Sequence, residues 1–354
     1  MVATLRPDVT LWPEARRTAI EIVYAGRDVT ADLAPHLKRL TWSESLSGAA
    51  DDLQIEIHDR ERLWATDWRP TFGDVIAAAV EAESWVSGGA TRRLPLGRVL
   101  VDEIEVQGPP ATATIKAISA GLSTGLRRTK RTRGWAGAKL STIATDIASR
   151  AGLDLLYSGP DFAIARQDQK HESDLAFLLR LCEETGLALK VTDGQIAVIA
   201  EADLEAGTPV TTLVPGLSRV KSWSLRDSSS ERYVSCVVRY RDPVKGHVIE
   251  AIAGETHRED GRDVPDEPCL RETRRVEDKA HAERLARQIL RAAQQGATLA
   301  SFSVVGDPAL VSGVVVEVDG VYGMGGRYLV TDTQHSAVGG YTTSLELRRI
   351  LGAA

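Results

Sequence analysis

Twice in the middle of this chain a helix-period apolar stripe runs into a glycine and then straight into strand-like residues, and that recurrence narrows the available folds more than any other feature. From Leu140 the apolar residues Leu140, Ile143, Ala144, Ile147, Ala148 and Ala151 return at helical spacing and stop at Gly152. Glycine adopts the left-handed conformation that closes a helix C-terminus, so Gly152 predicts a cap, with a strand starting at Leu153. In the second unit Ser173-Asp174 opens a helix with the face Leu175, Leu178, Leu179 and Cys182, closed by Gly186 and followed by Leu187-Ala188-Leu189-Lys190-Val191. Setting Gly152 on Gly186 lays Ala-Gly-Leu-Asp-Leu over Thr-Gly-Leu-Ala-Leu. Only two copies occur and strand residues follow each glycine, which disfavours a helical solenoid. The two helix-strand units read as one small α+β domain over residues 119–214.

Both flanks carry the period of two instead. Before the α+β units, Ala19 to Tyr24, Leu53 to His58, Arg98 to Val106 and Ala111 to Ile118 alternate or run apolar, with Gly108-Pro109-Pro110 as a hairpin signal. Trp68 to Val80 reads as a further strand, although Ala77, Ala78 and Ala79 favour helix. Residues 1–118 therefore predict a small barrel or sandwich. After Pro215 the β pattern returns at Trp223 to Arg226, Tyr233 to Tyr240, His247 to Ile252, Ser301 to Val305, Val314 to Val318, Tyr328 to His335 and Thr342 to Arg349. One long helix, at about residues 277–295, interrupts it with Ala282, Leu285, Ala286, Ile289, Leu290 and Ala293 on one face and Gly296 as its stop. Residues 215–354 predict a barrel carrying one packed helix, with the hydrophilic stretch His257 to Pro268 as an exposed loop. The expected fold class is mainly β with α+β parts.

Composition removes several function classes. An apolar fraction of 43% with 26% charged residues is that of a globular protein able to bury its own core. Apolar runs such as Val75 to Val80 fall far short of the roughly 20 residues a bilayer requires, so no membrane partner is expected. Met1 to Glu14 carries Arg6, Pro7 and Asp8 where a secretory peptide needs an apolar centre, which predicts folding in a cytoplasm. Cys182, Cys236 and Cys269 match no metal or redox spacing and read as reduced thiols. A net charge of −6 opposes nucleic-acid binding as a bulk property.

Catalytic machinery is not apparent. The sequence has no Gly-x-Ser-x-Gly elbow, phosphate loop, dinucleotide fingerprint or His-Glu-x-x-His pattern, and no catalytic residue, cofactor or metal site is assigned. His257, Glu259, Asp260 and Asp263 are the densest set of possible metal ligands, but Arg258 and Arg262 are interleaved and a solvated loop is the simpler reading. Gly323-Met324-Gly325-Gly326 lies between two strand patterns with no helix after it, and reads as a turn. The sharpest charge feature is the basic run Arg127, Arg128, Lys130, Arg131 and Arg133, followed by Trp135. It reads either as a docking site for an acidic partner, or less readily for nucleic-acid phosphate, or as a solvated linker between domains.

Three blocks point to a family. Val101-Asp102-Glu103-Ile104-Glu105-Val106-Gln107-Gly108-Pro109-Pro110 is one; Gly134-Trp135 through Lys139-Leu140-Ser141-Thr142-Ile143-Ala144 to Ala151-Gly152-Leu153 is the second. The third and most specific runs from Asp168-Gln169-Lys170-His171-Glu172-Ser173-Asp174 through Leu181 to Gly186. In order and spacing, across about Thr18 to Val198, they resemble the phage late control gene D proteins, the baseplate hubs of contractile tails. Gly339 to Thr343 also looks similar.

The resemblance implies two tube-type β-barrel domains in one chain with smaller domains attached, assembling as a homotrimer. Three chains would then reconcile a six-fold tail tube with a three-fold central spike. It implies as partners the central spike protein, the tail tube protein and other baseplate proteins, with no stable nucleic-acid binding. The expected place is the virion tail baseplate, or a related headless injection particle, assembled in the bacterial host cytoplasm. The alternative from another class is a tail-associated peptidoglycan-binding or cell-wall-degrading protein, since a short helix followed by a strand is also the pattern of small glycan-binding modules.

Overall fold

Strict alternation gives the flanking strands one face for a core and one for water. In Asp52–His58 the side chains of Leu53, Ile55 and Ile57 are buried while Asp52, Gln54 and Glu56 are half-buried on the other face. A strand's side chains point to opposite faces in turn, so this single segment already orients its sheet. The computed structural model describes residues 16–83, 91–119, 124–192, 194–217, 219–243, 246–260 and 262–352. The segment Met1 to Glu14 lies outside the described residues.

The two β regions do not stand apart. Their strands join in one 13-stranded sheet, in the order Val220–Asp227, Thr298–Val305, Thr342–Arg349, Gly326–Ala337, Leu37–Ser45, Asp52–His58, Thr112–Ser119, Arg92–Gln107, Val75–Glu83, Arg17–Tyr24 and Arg27–Asp28. Val315–Val318 pairs with the start of Gly326–Ala337 and with Thr212–Leu213. The seam between the regions is the antiparallel pairing of Asp332 through Ala337 with Ser45 through Leu40. The expectation of two separate barrels is corrected accordingly: among the described residues there is one continuous sheet and no closed barrel. Periodicity reveals which face a strand buries but not which strand lies beside it, so this long-range pairing left no mark in the sequence.

Two cores flank the seam. One gathers Leu40, Trp42, Leu53, Ile55 and Val80 and also takes Ala337 and Tyr341 from the far end of the chain. The other holds Phe302, Val304, Tyr328 and Leu345. The region after Pro215 contains a further core of its own. The small sheet of Val248–Gly254, Ser235–Arg241 and Cys269–Glu272 is covered by the helix Lys279–Ala297 through Ala282, Leu285, Ala286 and Leu290.

The middle unit forms as its glycines require. Leu140–Ala151 and Asp174–Thr185 are helices, and Gly152 (φ +70°) and Gly186 (φ +73°) close them in the left-handed conformation. Ser173 Oγ accepts a hydrogen bond from Ala176 N at 3.2 Å, satisfying one of the free N–H groups of the second helix. The strands Asp154–Ser158 and Leu187–Thr192 follow, both paired through Gln195–Ala200. The buried face of the second helix is Phe177, Leu178, Leu181 and Cys182, with Phe177 stacked on Trp135 at 4.9 Å; of the expected face Leu178 and Cys182 are buried, and Leu175 and Leu179 pack half-buried against the same core. Burying side chains such as Phe177 and Leu178 contributes about 1.5–3 kcal/mol each.

Three other expectations change. Within Trp68 to Val80 the strand begins only at Val75 and runs to Glu83, the preceding residues forming turns. Gly296 does not stop the long helix, which continues through Ala297 and passes directly into a strand at Thr298. His257 to Pro268 is in part a ribbon, Thr256–Glu259 paired with Arg262–Pro265.

Candidate docking surface

The basic run is built into the fold and is not a linker. Arg127 and Arg128 end the short helix Thr124–Arg128, while Lys130, Arg131 and Arg133 lie on Lys130–Lys139, which pairs antiparallel with Ala163–Ser173. Two of the five cations are spent internally. Arg131 Nε lies 3.3 Å from Asp174 Oδ2, and Arg133 Nη1 lies 2.6 Å from Asp146 Oδ2 with its guanidinium 4.8 Å from the Trp135 ring centre. Arg128 reaches Asp102 at 3.5 Å, an exposed pair of small energetic weight. Arg127 and Lys130 are exposed and form no ion pair among the described residues. The run therefore separates into a structural half and a half open to a partner.

Asp174 explains why its neighbourhood forms a sequence block. The residue is 3% exposed, and its carboxylate accepts from Gln169 Nε2 at 2.9 Å and meets Arg131 and also Arg150, the latter at 3.1 Å. A buried carboxylate requires such partners, and they come from three different elements. Glu172 in turn holds Arg180 at 2.8 Å. The block Gln169 to Asp174 is a joint between the ribbon and the second helix.

A second joint sits where the middle unit meets the sheet. Lys190 Nζ lies 2.6 Å from Glu44 Oε1 and 3.6 Å from Asp51 Oδ2, and donates to Ser312 Oγ at 2.9 Å. These residues come from the first β region, the middle unit and the last β region, so one ammonium ties all three together. Sequence reading did not single them out, since nothing local marks Lys190 among the other charges.

His257, Glu259, Asp260 and Asp263 do not converge. His257 Nδ1 contacts Asp266 Oδ1 at 2.6 Å and Arg258 faces Asp263 at 3.4 Å. Among the described residues no group of three or more His, Cys, Asp or Glu side chains is arranged to hold a metal ion.

The fold is similar to that of several solved structures. It is similar to the 43 kDa tail protein of prophage MuSo2 from Shewanella oneidensis, with TM-score 0.68 and 16% identity over 94% of this chain and 98% of that one. A tail protein from Neisseria meningitidis MC58 gives TM-score 0.69 and 13% identity, covering 94% and 96%. An E. coli component of the type VI secretion system gives 0.56 and 14%, covering 89% of this chain and 74% of that one. The phage tail baseplate hub family model matches residues 62–341, and the chain belongs to that family. Among curated proteins, the probable baseplate hub protein of Escherichia phage P2 is 29% identical over 212 residues, 59% of this chain and 48% of its own length. That of Escherichia phage 186 is 28% identical over 198 residues, 54% and 46%. The chain thus spans about half the length of the curated relatives it matches.

Proposed function

We propose that this chain is the structural hub of a contractile phage-type tail, joining the tail tube to the central spike at the virion baseplate and working by assembly, without an active site of its own. The observation that carries this reading is the single sheet in a chain of the hub family. It has two cores, one on each side of the seam, and its two outer edges differ: Val220–Asp227 at one end, Arg17–Tyr24 with the short Arg27–Asp28 at the other. A sheet with unlike edges can repeat head to tail, and a repeat by a closing rotation gives a ring. Each half of the sheet acts as one tube-type unit completed by its neighbours, so a homotrimer presents six units to the tube and three-fold symmetry to the spike. The limits near residues 118 and 214 remain the working division between these units and the middle one. Arg127, Arg128 and Lys130 serve as docking points for an acidic surface of another baseplate protein, with Arg131 and Arg133 holding them in place.

Electron microscopy of tails carrying an epitope tag on this chain tests the reading. Label at the junction of tube and spike is the expected result. Label along the tube, or tails without the chain, would overturn it. Clearing of purified peptidoglycan by the isolated chain would overturn the absence of an active site.

A further inference from the structure

Where the middle unit meets the helix Lys279–Ala297 the chain forms a cleft of about 320 Å³. Phe162, Ile164 and Leu181 give it an apolar wall, and His281, Arg284 and Arg287 line it from successive turns of the helix. Asp278 fixes the start of that helix by accepting from His281 N at 2.7 Å, so the spacing of the three basic side chains along the cleft is set by helix geometry.

The charges in this cleft do not balance. Its two carboxylates are already engaged: Glu277 accepts from Ala165 N at 3.0 Å and from Arg166 N at 2.9 Å, and Glu184 lies 3.8 Å from Arg180 and 4.0 Å from Arg274. The two guanidiniums are not. Among the described residues neither Arg284 nor Arg287 forms an ion pair or a side-chain hydrogen bond. Three positions apart on one helix they are neighbours, and like charges so placed destabilise it. Arg284 is nevertheless held in place, half-buried, with its guanidinium 4.8 Å from the Phe162 ring centre. Such stacking covers the flat face of the guanidinium and leaves the N–H groups on its edge free to donate.

We propose that this cleft docks an acidic segment of a partner protein, a Glu or Asp carboxylate taking the free N–H groups of Arg284 and Arg287 while an adjacent apolar side chain lies on Phe162 and Ile164. A guanidinium fork matches a carboxylate bidentately, and arginine beside an aromatic ring is the composition that binding hot spots favour. Nucleic acid is the poorer occupant, since the cleft has the size of a side-chain pocket and Glu184 and Glu277 in its lining oppose a run of phosphates. The site shares no residue with the basic run and goes beyond the hub reading.

Fluorescence polarisation with the full chain tests the assignment. The probe is a labelled Gly-Glu-Leu-Glu-Phe-Gly peptide, compared with the same peptide carrying Gln in place of both Glu. The Glu peptide should bind saturably and the Gln peptide about tenfold more weakly or not at all. Arg284→Gln with Arg287→Gln should weaken the Glu peptide by about tenfold or more, while Arg127→Gln with Lys130→Gln should leave it unchanged. No binding of the Glu peptide, equal binding of the two peptides, or binding that survives the Arg284 and Arg287 changes overturns the proposal. Displacement of the peptide by inorganic phosphate or by a DNA duplex, at concentrations where acetate has no effect, would make this a phosphate site and overturns it as well. Arg287 is exposed, so Arg287→Gln alone keeps the test open should the double variant fail to fold; it should weaken the Glu peptide and leave the thermal midpoint unchanged or raised. A lowered midpoint would give Arg287 a partner within the chain and count against docking. Exclusion of the chain from tails would overturn the hub reading and leave this site standing.

Discussion

Arg348 Nη1 meets Glu205 Oε1 at 2.6 Å where both residues are less than a tenth exposed. The same guanidinium reaches Glu201 at 2.8 Å, Arg291 joins Glu205 from the long helix, and Gln295 donates to both carboxylates. Arg327 donates to the backbone oxygens of Glu205 and Gly207. The short helix Glu201–Glu205 is thereby clamped between the sheet and the helix Lys279–Ala297. Arg348→Ala leaves the buried Glu205 and the half-buried Glu201 with one fewer counter-charge while Arg291 and Gln295 remain, and should lower stability by about 1–3 kcal/mol. Urea unfolding of the two proteins measures this; an unchanged midpoint would mean the clamp carries no stability.

Two buried groups should oppose one another with pH. Burial, against the pull of Lys190, raises Asp51 from its ordinary 3.8 to about 7. The folded state then holds a proton that the unfolded state has lost, so this contribution is full below about pH 4 and disappears as pH rises through 7. Burial lowers His335 from 6.5 to about 4, while it hydrogen-bonds Leu310 O and Tyr341. Here the unfolded state takes the proton first, so stability present above pH 6.5 is lost as pH falls through 4. Between these limits the two slopes offset. Relative to the unaltered protein, Asp51→Asn should become less stable on going from pH 6.5 to 4.5, and His335→Gln should become more stable over the same interval. Denaturant midpoints at the two pH values decide it, and parallel profiles for all three proteins would remove the linkage.

These groups show how far the sequence could be read. Caps were legible because they are local: Gly152, Gly186 and Ser173 act within four residues of themselves. The core face of Asp52–His58 was legible for the same reason. Leu37–Ser45 was missed because Lys38, Arg39, Ser43 and Glu44 dilute its apolar signal, yet it forms the seam. Gly296 looked like a stop, but Gln294 donates to Tyr233 O and Gln295 to Glu201 and Glu205, holding the last turn helical through distant contacts.

Two glycines should respond very differently to a methyl group. A Cβ at Gly152 would meet nothing within 4 Å, so Gly152→Ala carries only the left-handed backbone cost of about 1–2 kcal/mol. At Gly254, also with positive φ, a Cβ would lie 2.1 Å from Val234 O and 2.9 Å from Ser235 Cα. Backbone cannot yield as a side-chain tip can, so Gly254→Ala should cost more than about 4 kcal/mol or prevent soluble expression. Thermal unfolding compares the pair; equal losses would contradict the close approach at Val234.

The basic run should separate under mutation into its two halves. Arg131 and Arg133 face carboxylates within the middle unit, and Asp174 is almost wholly buried. Replacing Arg131 with Gln leaves Arg150 as the remaining counter-charge of Asp174, and replacing Arg133 removes both an ion pair and its contact with the Trp135 ring. Together these changes should lower stability by about 1–3 kcal/mol, the range for charged hydrogen bonds at partly buried sites. Arg127 and Lys130 have no such role, so Arg127→Gln with Lys130→Gln should leave the unfolding midpoint within about 0.5 kcal/mol of the unaltered chain. If these two residues dock an acidic surface, the same variant should enter tails less efficiently, and the deficit should shrink as salt rises, because screening weakens the unaltered contact as well. A variant that assembles normally at every ionic strength would remove the docking role and leave the run purely structural.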